Sequence, residues 1–502
     1  MAKGEPKPQT IDARLVAVLV VALALAYAAA SALATGPGAI HEDMAEAYVW
    51  GSHFEWGYYK HPPLWAWIGG GWFRFMPRTA LSFALLCAAN LALGLAGCWR
   101  LIGRFAGGDE RPAAFLLLLV TPLYGFSAFV FNANSIFICL WPWTAWAFVR
   151  AMDEPGPASA ALFGLFAGLD MMAKYYAVVL LLALAPALLA HPNGRRWLVS
   201  PWPYLATLVG AAVFAPHVAW LARTGFLPFH YFGGESGHAV GFSLAAAGRL
   251  FLGDLALLAP VILVVLIAGW RSLAALPGRA RERWSDPRFR VLVVIELTPF
   301  LLTLVFGLIF RLKLSTNWTL GVFPLIPLVL LELAPPARRA RLAWVTAALA
   351  ITVAAVGIVA APLTRATSTE AKDIEPRRQA VADAVALWRA RTAAPLAVVG
   401  GSETYGDAAG FYAPSRPSVF IRFDPRISPW IDVSRLPQTG LLALCPANDA
   451  KCIAGARRYA TSQTSWTPFD LPPLRRASSR TPSDYAYVVA VTPPLGQAIT
   501  RP

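Results

Sequence analysis

Residues 14–35 read RLVAVLVVALALAYAAASALAT, and Arg14 is the single charged residue among them. About 20 consecutive apolar residues allow an α-helix to cross the hydrocarbon core of a bilayer. Stretches of similar character recur along the chain, at about 79–100, 112–130, 134–150, 158–171, 175–190, 203–222, 249–270, 291–310, 318–333 and 342–362. The sequence therefore predicts about eleven membrane-spanning helices, counting both halves of the interrupted pair 158–171 and 175–190.

The composition of the whole chain supports this interpretation. The 502 residues are 57% hydrophobic and 14% charged, and the mean hydropathy is +0.53. A soluble domain is roughly 25% charged. These values exclude a disordered chain, a fibrous protein, a disulfide-dense mini-protein and an ordinary cytosolic enzyme. What remains is a polytopic membrane protein.

The distribution of arginine indicates which side of the membrane each connection faces, because cytoplasmic connections carry an excess of Lys and Arg. With residue 1 in the cytoplasm, every arginine-rich connection falls on the cytoplasmic side: Arg100, Arg104 and Arg111; Arg150; Arg195 and Arg196; Arg271 to Arg290; and Arg338 to Arg341. The net charge of +15 then reflects topology and contact with anionic lipids, and we expect no nucleic-acid partner. The outer side receives the connections 36–78, 131–134, 171–175, 223–248 and 311–317.

The tail, residues 363–502, is much more polar and is also predicted to lie outside, as a small soluble α/β domain. Residues 375–391 have helical character, and the runs 396–399, 418–421, 441–444 and 485–491 have the character of strands. Cys445 and Cys452 lie in this tail, where an oxidising compartment could join them in a disulfide. Two free thiols are the alternative.

Lysine is scarce in the membrane part, and its positions oppose the arginine trend. Of seven lysines in the chain, Lys60, Lys174 and Lys313 lie between residues 11 and 362, and all three fall on the predicted outer side. An anionic ligand near the outer membrane boundary would explain them, since ionisable groups at this depth are costly and indicate function. The alternative is three unrelated lysines, with Lys174 paired to Asp170 one helical turn earlier.

The first outer connection holds the most polar residues of the membrane part. Asp43 and Glu46 are three residues apart, so a helix would place both carboxylates on one face. Such a pair suits a general base that deprotonates a hydroxyl, with a second acid that orients it. Lys60 and His61 precede two prolines that would hold them in an extended turn. Alternatively, the two acids are solvated residues at a helix start, where the helix dipole favours them.

These residues resemble those of the GT-C superfamily, in the branch of protein O-mannosyltransferases and bacterial lipid A aminoarabinose transferases. The acidic pair is followed by the motif W-G-Y-Y-K-H-P-P-L at 56–64, which contains Tyr59, Lys60 and His61. Three later segments also fit: 164–175, which ends in Lys174 and Tyr175; 131–135, which contains Asn134; and 313–318, which begins with Lys313. The variant is most similar to alphaproteobacterial lipopolysaccharide galacturonosyltransferases.

The resemblance implies an all-α GT-C fold of about 11–13 transmembrane helices in a bacterial inner membrane. It also implies an inverting glycosyltransferase that transfers sugar from a polyprenyl-phosphate-linked donor. The acceptor would be a hydroxyl of lipid A, of the lipopolysaccharide core or of another envelope glycolipid, at the periplasmic face. Asp43 is then the predicted base and Glu46 its helper or an acceptor contact. Lys60, His61, Tyr59, Lys174, Tyr175, Asn134, Arg311 and Lys313 are predicted to bind the donor phosphate or the substrate.

The sequence departs from the family pattern at two positions. Many relatives carry an acid where Lys60 stands, and many carry a metal-binding Asp in the second outer connection, where this chain has Asn134. Because Mg²⁺ prefers charged oxygen ligands, a divalent cation is here an open expectation. Lysine can instead neutralise a leaving phosphate, or Lys60 can recognise the carboxylate of a uronic acid.

Other functions remain as alternatives at this stage. A protein Ser or Thr could replace the glycolipid as acceptor. A flippase or transporter of lipid-linked sugars is a rival class, although transporters usually show duplicated halves that this sequence lacks. A membrane scaffold would not require outer lysines beside an acidic pair. Residues 229–238 suit either a lid over the site or an ordinary flexible loop, and the sugar and the oligomeric state stay open.

Overall fold

The computed structural model describes residues 11–234, 244–310, 314–336, 338–475 and 485–496. The chain divides into two compact units. The first comprises residues up to Ala30, Trp56–Leu64 and Ala84–Val359, and the second comprises Ser31–Glu55, Trp65–Phe83 and the residues from Ala360 onward. Both units are thus assembled from separate stretches of sequence.

The described residues form helices through most of the chain and strands near its C-terminal end. The helices are α1 Ala13–Thr35, α2 Glu42–Gly51, α3 Leu64–Phe75, α4 Ala80–Ile102, α5 Glu110–Leu118, α6 Phe137–Asp153, α7 Pro157–Ala173, α8 Ala177–Ala190, α9 Gly194–Leu198, α10 Trp202–Arg223, α11 Leu227–Gly234, α12 Leu244–Ala268, α13 Leu276–Ser285, α14 Pro287–Ile309, α15 Ile326–Leu333, α16 Arg339–Thr367, α17 Ala371–Ile374, α18 Arg377–Arg391, α19 Glu403–Tyr412, α20 Leu436–Thr439 and α21 Ala450–Arg457. The strands are β1 Val398–Gly401, β2 Ser418–Ile421, β3 Leu441–Pro446, β4 Ser465–Asp470 and β5 Ala486–Thr492.

Within the described part of the chain, six helices are long and apolar enough to cross a bilayer: α1, α4, α10, α12, α14 and α16. Helices α7 and α8 are shorter apolar helices and correspond to the interrupted pair expected from the sequence. The predicted class, a mostly helical polytopic membrane protein with a small C-terminal sheet, is confirmed.

Two of the predicted spans form only short helices. The segment 112–130 is helical in α5 alone and continues as two 3₁₀ turns, because Pro122 has no amide hydrogen and Thr121 Oγ1 caps the first turn. The segment 318–333 is helical only in α15, whose first turn contains Pro327. Apolar composition predicted a membrane-spanning helix at each segment, whereas the structure has helices of 9 and 8 residues there, which are not among the six candidate spans.

Close helix contacts in the first unit depend on small residues. Helices α7 and α10 pack so closely that a Cβ atom at Gly164 would overlap the carbonyl oxygen of Ala206. A Cβ atom at Gly168 would lie 2.7 Å from Val213. The G-x-x-x-G spacing of this segment therefore serves helix packing, as it does in many membrane proteins. This close packing fixes the position of α7, and with it the position of Lys174, which follows its last residue.

The second unit contains a five-stranded sheet with strand order β2-β1-β3-β5-β4. Strand β1 pairs in parallel with β2 and β3, and the pairs β3–β5 and β5–β4 are antiparallel. Cys445 and Cys452 form a disulfide between β3 and α21. The expected α/β character is confirmed, and the disulfide alternative holds. Strand β4 is absent from the sequence prediction, since Pro468 interrupts its pattern and it lies at the sheet edge.

The loop helices α2 and α3 also belong to this second unit. Their backbones meet at Gly51 and Gly70, where added Cβ atoms would overlap main-chain atoms of the facing helix. Tyr48 of α2 packs edge-on against Phe411 of α19, with ring centroids 5.4 Å apart. The hydroxyl of Tyr412 accepts a hydrogen bond from the Ile40 amide at 2.9 Å. These contacts fix the helix that carries the acidic pair.

Candidate active site

The acidic pair lies at the start of α2, in the second unit. His41 caps this helix, because its Nδ1 accepts a hydrogen bond from the Asp43 amide at 3.2 Å. Asp43 is partly exposed in the first turn, whereas Glu46 is buried with 7% of its surface exposed. The alternative of two solvated acids at a helix start therefore does not hold for Glu46. A buried carboxylate must be held by partners, which indicates a role beyond solubility.

Lys174 lies in the first unit, immediately after the last residue of α7. Its Nζ donates a hydrogen bond to Oδ1 of Asn134 at 2.5 Å. The ammonium group also lies over the indole of Trp318, 5.6 Å from the ring centroid. The structure thus brings Lys174 and Asn134 together, as expected for two residues of one site.

Asp170 is not the side-chain partner that the alternative interpretation assigned to Lys174. Its carboxylate is fully buried and accepts a hydrogen bond from Thr144 Oγ1 at 2.7 Å. The link between the two residues is a main-chain one, from the Lys174 amide to the Asp170 carbonyl at 3.2 Å. The lysine is therefore directed by Asn134 and not by the acid one turn earlier.

The position of Asn134 follows from a local turn. Oδ1 of Asn132 accepts hydrogen bonds from the amides of Asn134 and Ser135, both at 2.9 Å. This is the Asx geometry that Asn favours because its side chain mimics a backbone turn. Asn90 of α4 holds the same turn through a hydrogen bond from its Nδ2 to the Ser135 carbonyl at 2.9 Å. Two further asparagines thus orient Asn134.

Tyr175 belongs to a second polar chain in the same unit. Its hydroxyl lies 2.9 Å from Nε2 of His217, and Nδ1 of His217 lies 2.7 Å from the Trp56 carbonyl oxygen. A carbonyl oxygen only accepts, so Nδ1 carries a proton and a neutral ring receives the tyrosine hydrogen on Nε2. Sequence reasoning missed His217. The signal available was a lone histidine in the apolar helix α10.

Lys60 and Tyr59 contact the helix α11. The ammonium of Lys60 lies 5.2 Å from the centroid of Tyr59 and 5.8 Å from that of Tyr231. The rings of Tyr59 and Tyr231 meet edge-on at 5.4 Å. His61 follows in a turn that is closed by a hydrogen bond from the Tyr58 amide to the His61 carbonyl at 3.0 Å. Lys60 is therefore held beside two aromatic rings.

Helix α11 joins the two lysine clusters, because Phe229 of the same helix packs against Tyr175 at 5.2 Å. Five of the predicted binding residues, Tyr59, Lys60, Asn134, Lys174 and Tyr175, thus belong to one connected set of contacts in the first unit. The lid or loop expected at 229–238 begins as the helix α11, and its remaining part lies outside the described residues. Arg311 and Lys313 also lie outside the described residues.

The donor groups of this region do not fit a divalent cation. Within the ranges that the structure describes, no group of three His, Cys, Asp or Glu side chains could hold a metal ion. The amide oxygen of Asn134 accepts a hydrogen bond from the ammonium group of Lys174. The region can therefore hold an anion through lysine, and we derive no step through a metal.

Known proteins resemble this chain in sequence and in fold. Residues 60–220 match the family of dolichyl-phosphate-mannose-protein mannosyltransferases. The lipopolysaccharide core galacturonosyltransferase RgtA of Rhizobium johnstonii is 27% identical over 276 residues, which are 51% of this chain and 53% of that protein. The match thus spans about half the length of this relative.

Two solved structures share the fold over nearly the whole chain. ArnT of Cupriavidus metallidurans bound to undecaprenyl phosphate has a TM-score of 0.59 and 13% identity, and the match covers 96% of this chain and 98% of that one. The apo form of the same protein has a TM-score of 0.63 at 13% identity, with 95% and 98% covered. The resemblance predicted from the sequence is confirmed: residues 60–220 match the family of dolichyl-phosphate-mannose-protein mannosyltransferases, and the chain shares its fold with ArnT.

Proposed function

We propose that this chain transfers a sugar from a polyprenyl-phosphate-linked donor to a hydroxyl group of lipid A, lipopolysaccharide core or another envelope glycolipid. The observation that carries this proposal is the Lys174 ammonium, directed by Asn134 at 2.5 Å and placed over Trp318. This lysine lies within the segment that matches the glycosyltransferase family. A fixed ammonium group provides the charge that a departing lipid phosphate requires.

In the proposed reaction, the acceptor oxygen displaces the lipid phosphate with inversion at the anomeric carbon. Asp43 takes the proton of the acceptor hydroxyl as its oxygen bonds to the anomeric carbon. The bond from that carbon to the phosphate oxygen breaks, and the phosphate leaves with the electron pair. Lys174 neutralises the charge of the leaving phosphate, Lys60 either does the same or binds a carboxylate of the sugar, and His61 donates a hydrogen bond to the phosphate. Glu46 orients Asp43 or contacts the acceptor.

The lysines take over the electrostatic role that a divalent cation has in many relatives. The support is the ammonium bonded to Asn134 and the absence of a three-residue acidic, histidine or cysteine cluster from the part of the chain that the structure describes. Turnover in membranes treated with EDTA should therefore match that of untreated membranes. Complete loss of turnover, with recovery on addition of Mg²⁺, would contradict this assignment.

A uronic acid is the sugar that we propose for the donor. The support is the similarity to RgtA, whose name gives a galacturonosyltransferase. Lys60, with its ammonium over two tyrosine rings, is suited to bind a sugar carboxylate. If Lys60 binds that carboxylate, Lys60→Gln should raise the KM for the uronic acid donor by a larger factor than it lowers kcat.

The chain is proposed to lie in a bacterial inner membrane, with the site and residues 363–502 in the periplasm. The disulfide between Cys445 and Cys452 supports this side, because disulfides persist in oxidising compartments. Cysteine accessibility to a membrane-impermeant reagent, measured with single cysteines introduced at Arg389 and Arg281, tests the orientation. Labelling of the Arg281 position alone in intact spheroplasts would contradict it.

Mass spectrometry of envelope glycolipids tests the activity. A strain that lacks this chain should lose one glycolipid species, and the wild-type chain should restore it. Asp43→Asn should fail to restore it although the protein is present at normal level, because the amide cannot accept the proton. The exposed Lys451→Gln serves as the matched control and should restore the species fully. Restoration by Asp43→Asn at a near-normal rate would refute Asp43 as the base.

A protein acceptor is the second candidate, because the family that matches residues 60–220 is described by transfer to protein. Under this alternative the deletion strain would keep all its glycolipids and lose a hexose on Ser or Thr of envelope proteins. A flippase or transporter of lipid-linked sugar is the alternative of another class. It predicts that Asp43→Asn moves the donor across the membrane as fast as the wild type.

A further inference from the structure

A cavity of about 270 Å³ opens within the second unit and is lined by none of the catalytic or donor-binding residues assigned above. Its walls come from α2, α3 and the segment that leads into β2. Arg74 and Arg416 both line it, together with Ser418 of β2 and the apolar side chains of Phe73 and Val419. The volume is below the roughly 300–1,000 Å³ of pockets for drug-sized ligands, so the cavity suits one small group.

The two arginines give the cavity its charge. Among the described residues, no ion pair is formed by either Arg74 or Arg416, and no carboxylate lines the cavity. The guanidinium of Arg74 instead lies over the ring of Phe54, 4.5 Å from its centroid. A guanidinium group presents a rigid fork of donors that matches carboxylate and phosphate oxygens. Two guanidinium groups therefore give this small cavity a positive electrostatic potential, which no carboxylate in its wall neutralises.

The backbone around Arg416 is held in an unusual conformation. Its φ of 55° lies in the left-handed region, which residues with a Cβ seldom adopt. The turn before it is fixed by Arg78, whose Nη1 donates to the carbonyls of Phe411 and Ala413 at 2.8 and 2.9 Å. Non-glycine residues in this region persist where the surroundings enforce them, often at ligand sites. Arg78 therefore helps to keep Arg416 at the cavity.

One wall offers a flat ring system. His53 lines the cavity and stacks on Trp430 with ring centroids 4.5 Å apart and an interplanar angle of 4°. Burial lowers the pKa of His53 to about 4, so the imidazole is neutral near pH 7. The positive charge therefore comes from the arginines alone, and the histidine contributes a neutral polar surface with hydrogen-bonding nitrogens.

We propose that this cavity binds an anionic group, phosphate or carboxylate, borne on a molecule of which one sugar ring enters the cavity. Arg74 and Arg416 bind the anion, and Ser52 and Ser418, which also line the cavity, add polar groups to its wall. The proposal does not depend on glycosyl transfer, since it concerns binding alone. The anion can come from a free sugar phosphate or from the headgroup of a phosphorylated glycolipid.

Ligand-observed NMR on the full chain in phosphatidylcholine nanodiscs tests the proposal. The probes are glucose 1-phosphate, glucuronate and glucose. The two anionic probes should saturate at millimolar concentration, and glucose should bind at least tenfold more weakly. Equal binding of glucose and glucose 1-phosphate would overturn the proposal on the wild-type protein alone, as would no binding of either anion at tens of millimolar.

Variants then locate the site. Arg74→Gln and Arg416→Gln should each weaken glucose 1-phosphate binding roughly tenfold, the scale of one lost charge-assisted hydrogen bond. Arg416→Lys should keep most of the binding, because it retains the charge. Arg389→Gln, an exposed arginine of α18, is the matched control. If this control weakens binding as much as Arg416→Gln does, the cavity is not the site.

A last arm separates the two sources of the anion. Nanodiscs that contain lipid A should abolish the glucose 1-phosphate signal if the ligand is a glycolipid headgroup, and should leave it unchanged if the ligand is a free sugar phosphate. Both results support an anion site and differ in its occupant. Roughly tenfold weaker binding of glucose 1-phosphate to Arg416→Gln is required in either case.

Discussion

Replacing Lys174 with glutamine tests the proposed site where its geometry is best defined. Lys174 Nζ has three hydrogens, of which one is directed to Asn134 Oδ1 at 2.5 Å. Glutamine can still donate to Asn134, but it cannot supply a positive charge to a leaving phosphate. Loss of one donor aimed at developing charge costs roughly 10²–10³ in kcat, or about 3–4 kcal/mol of transition-state stabilisation.

The assay is transfer from a purified polyprenyl-phosphate sugar donor to an acceptor glycolipid, with kcat and KM measured separately. We expect kcat for Lys174→Gln to fall roughly 10²–10³-fold, with a smaller change in donor KM. Lys451→Gln is the matched control, since Lys451 is exposed in α21. A kcat for Lys174→Gln within threefold of the wild type, in protein of unchanged thermal stability, would refute the assignment.

Three further predictions concern packing and ionisation. Gly164→Val should destabilise the packing of α7 on α10 by about 1–3 kcal/mol, because the added Cβ atom overlaps the Ala206 carbonyl oxygen. Gly248→Ala should not destabilise the protein, because its added Cβ atom meets no neighbouring atom. Thermal denaturation in detergent measures both variants, and equal melting temperatures would contradict the packing argument. Arg78→Met should lower the free energy of unfolding by about 2–4 kcal/mol, because it leaves the carbonyl groups around residues 410–414 without their charged donor. The control Arg389→Met should change the free energy of unfolding little in the same denaturation assay. The pKa of His53 is about 4 in the folded chain and 6.5 in the unfolded chain, so the unfolded chain binds more protons between these two pH values. The free energy of unfolding should therefore fall by up to about 3 kcal/mol as the pH drops from 6.5 toward 4. His53→Phe should show a flatter dependence of stability on pH, and a dependence identical to that of the wild type would contradict the lowered pKa.

Apolar composition and cation distribution were sufficient to predict the membrane class, and motif spacing was sufficient to predict the family. The helix breaks at Pro122 and Pro327 were missed because apolar residues continue across them, so a hydropathy argument does not detect them. Strand β4 was missed for a related reason. Its alternation is clear only once the partner strand β5 is known, and Pro468 argues against a strand.

The candidate site, like the fold, was predicted only in part from the sequence. Lys174 and Asn134 were both predicted as binding residues from the family motifs, but the hydrogen bond between them was not. The chain from Tyr175 through His217 to the Trp56 carbonyl did not, because it joins three distant segments through contacts that no local spacing encodes. Arg78 shows no local signal either: it reads as a lone surface cation but donates to the main chain about 330 residues later. Such contacts depend on tertiary structure.

The composition of the second unit has a consequence for how the protein is made. Helix α2, with Asp43 and Glu46, packs on α19, and Glu42 at its start lies 3.5 Å from Arg377. The residues that hold this helix are synthesised more than 300 positions after it. During translation the acidic helix therefore remains without its packing partners until α19 has been synthesised. A stop codon between residues 368 and 402 would leave helices α1 to α16 intact and would remove α19, on which the acidic helix packs.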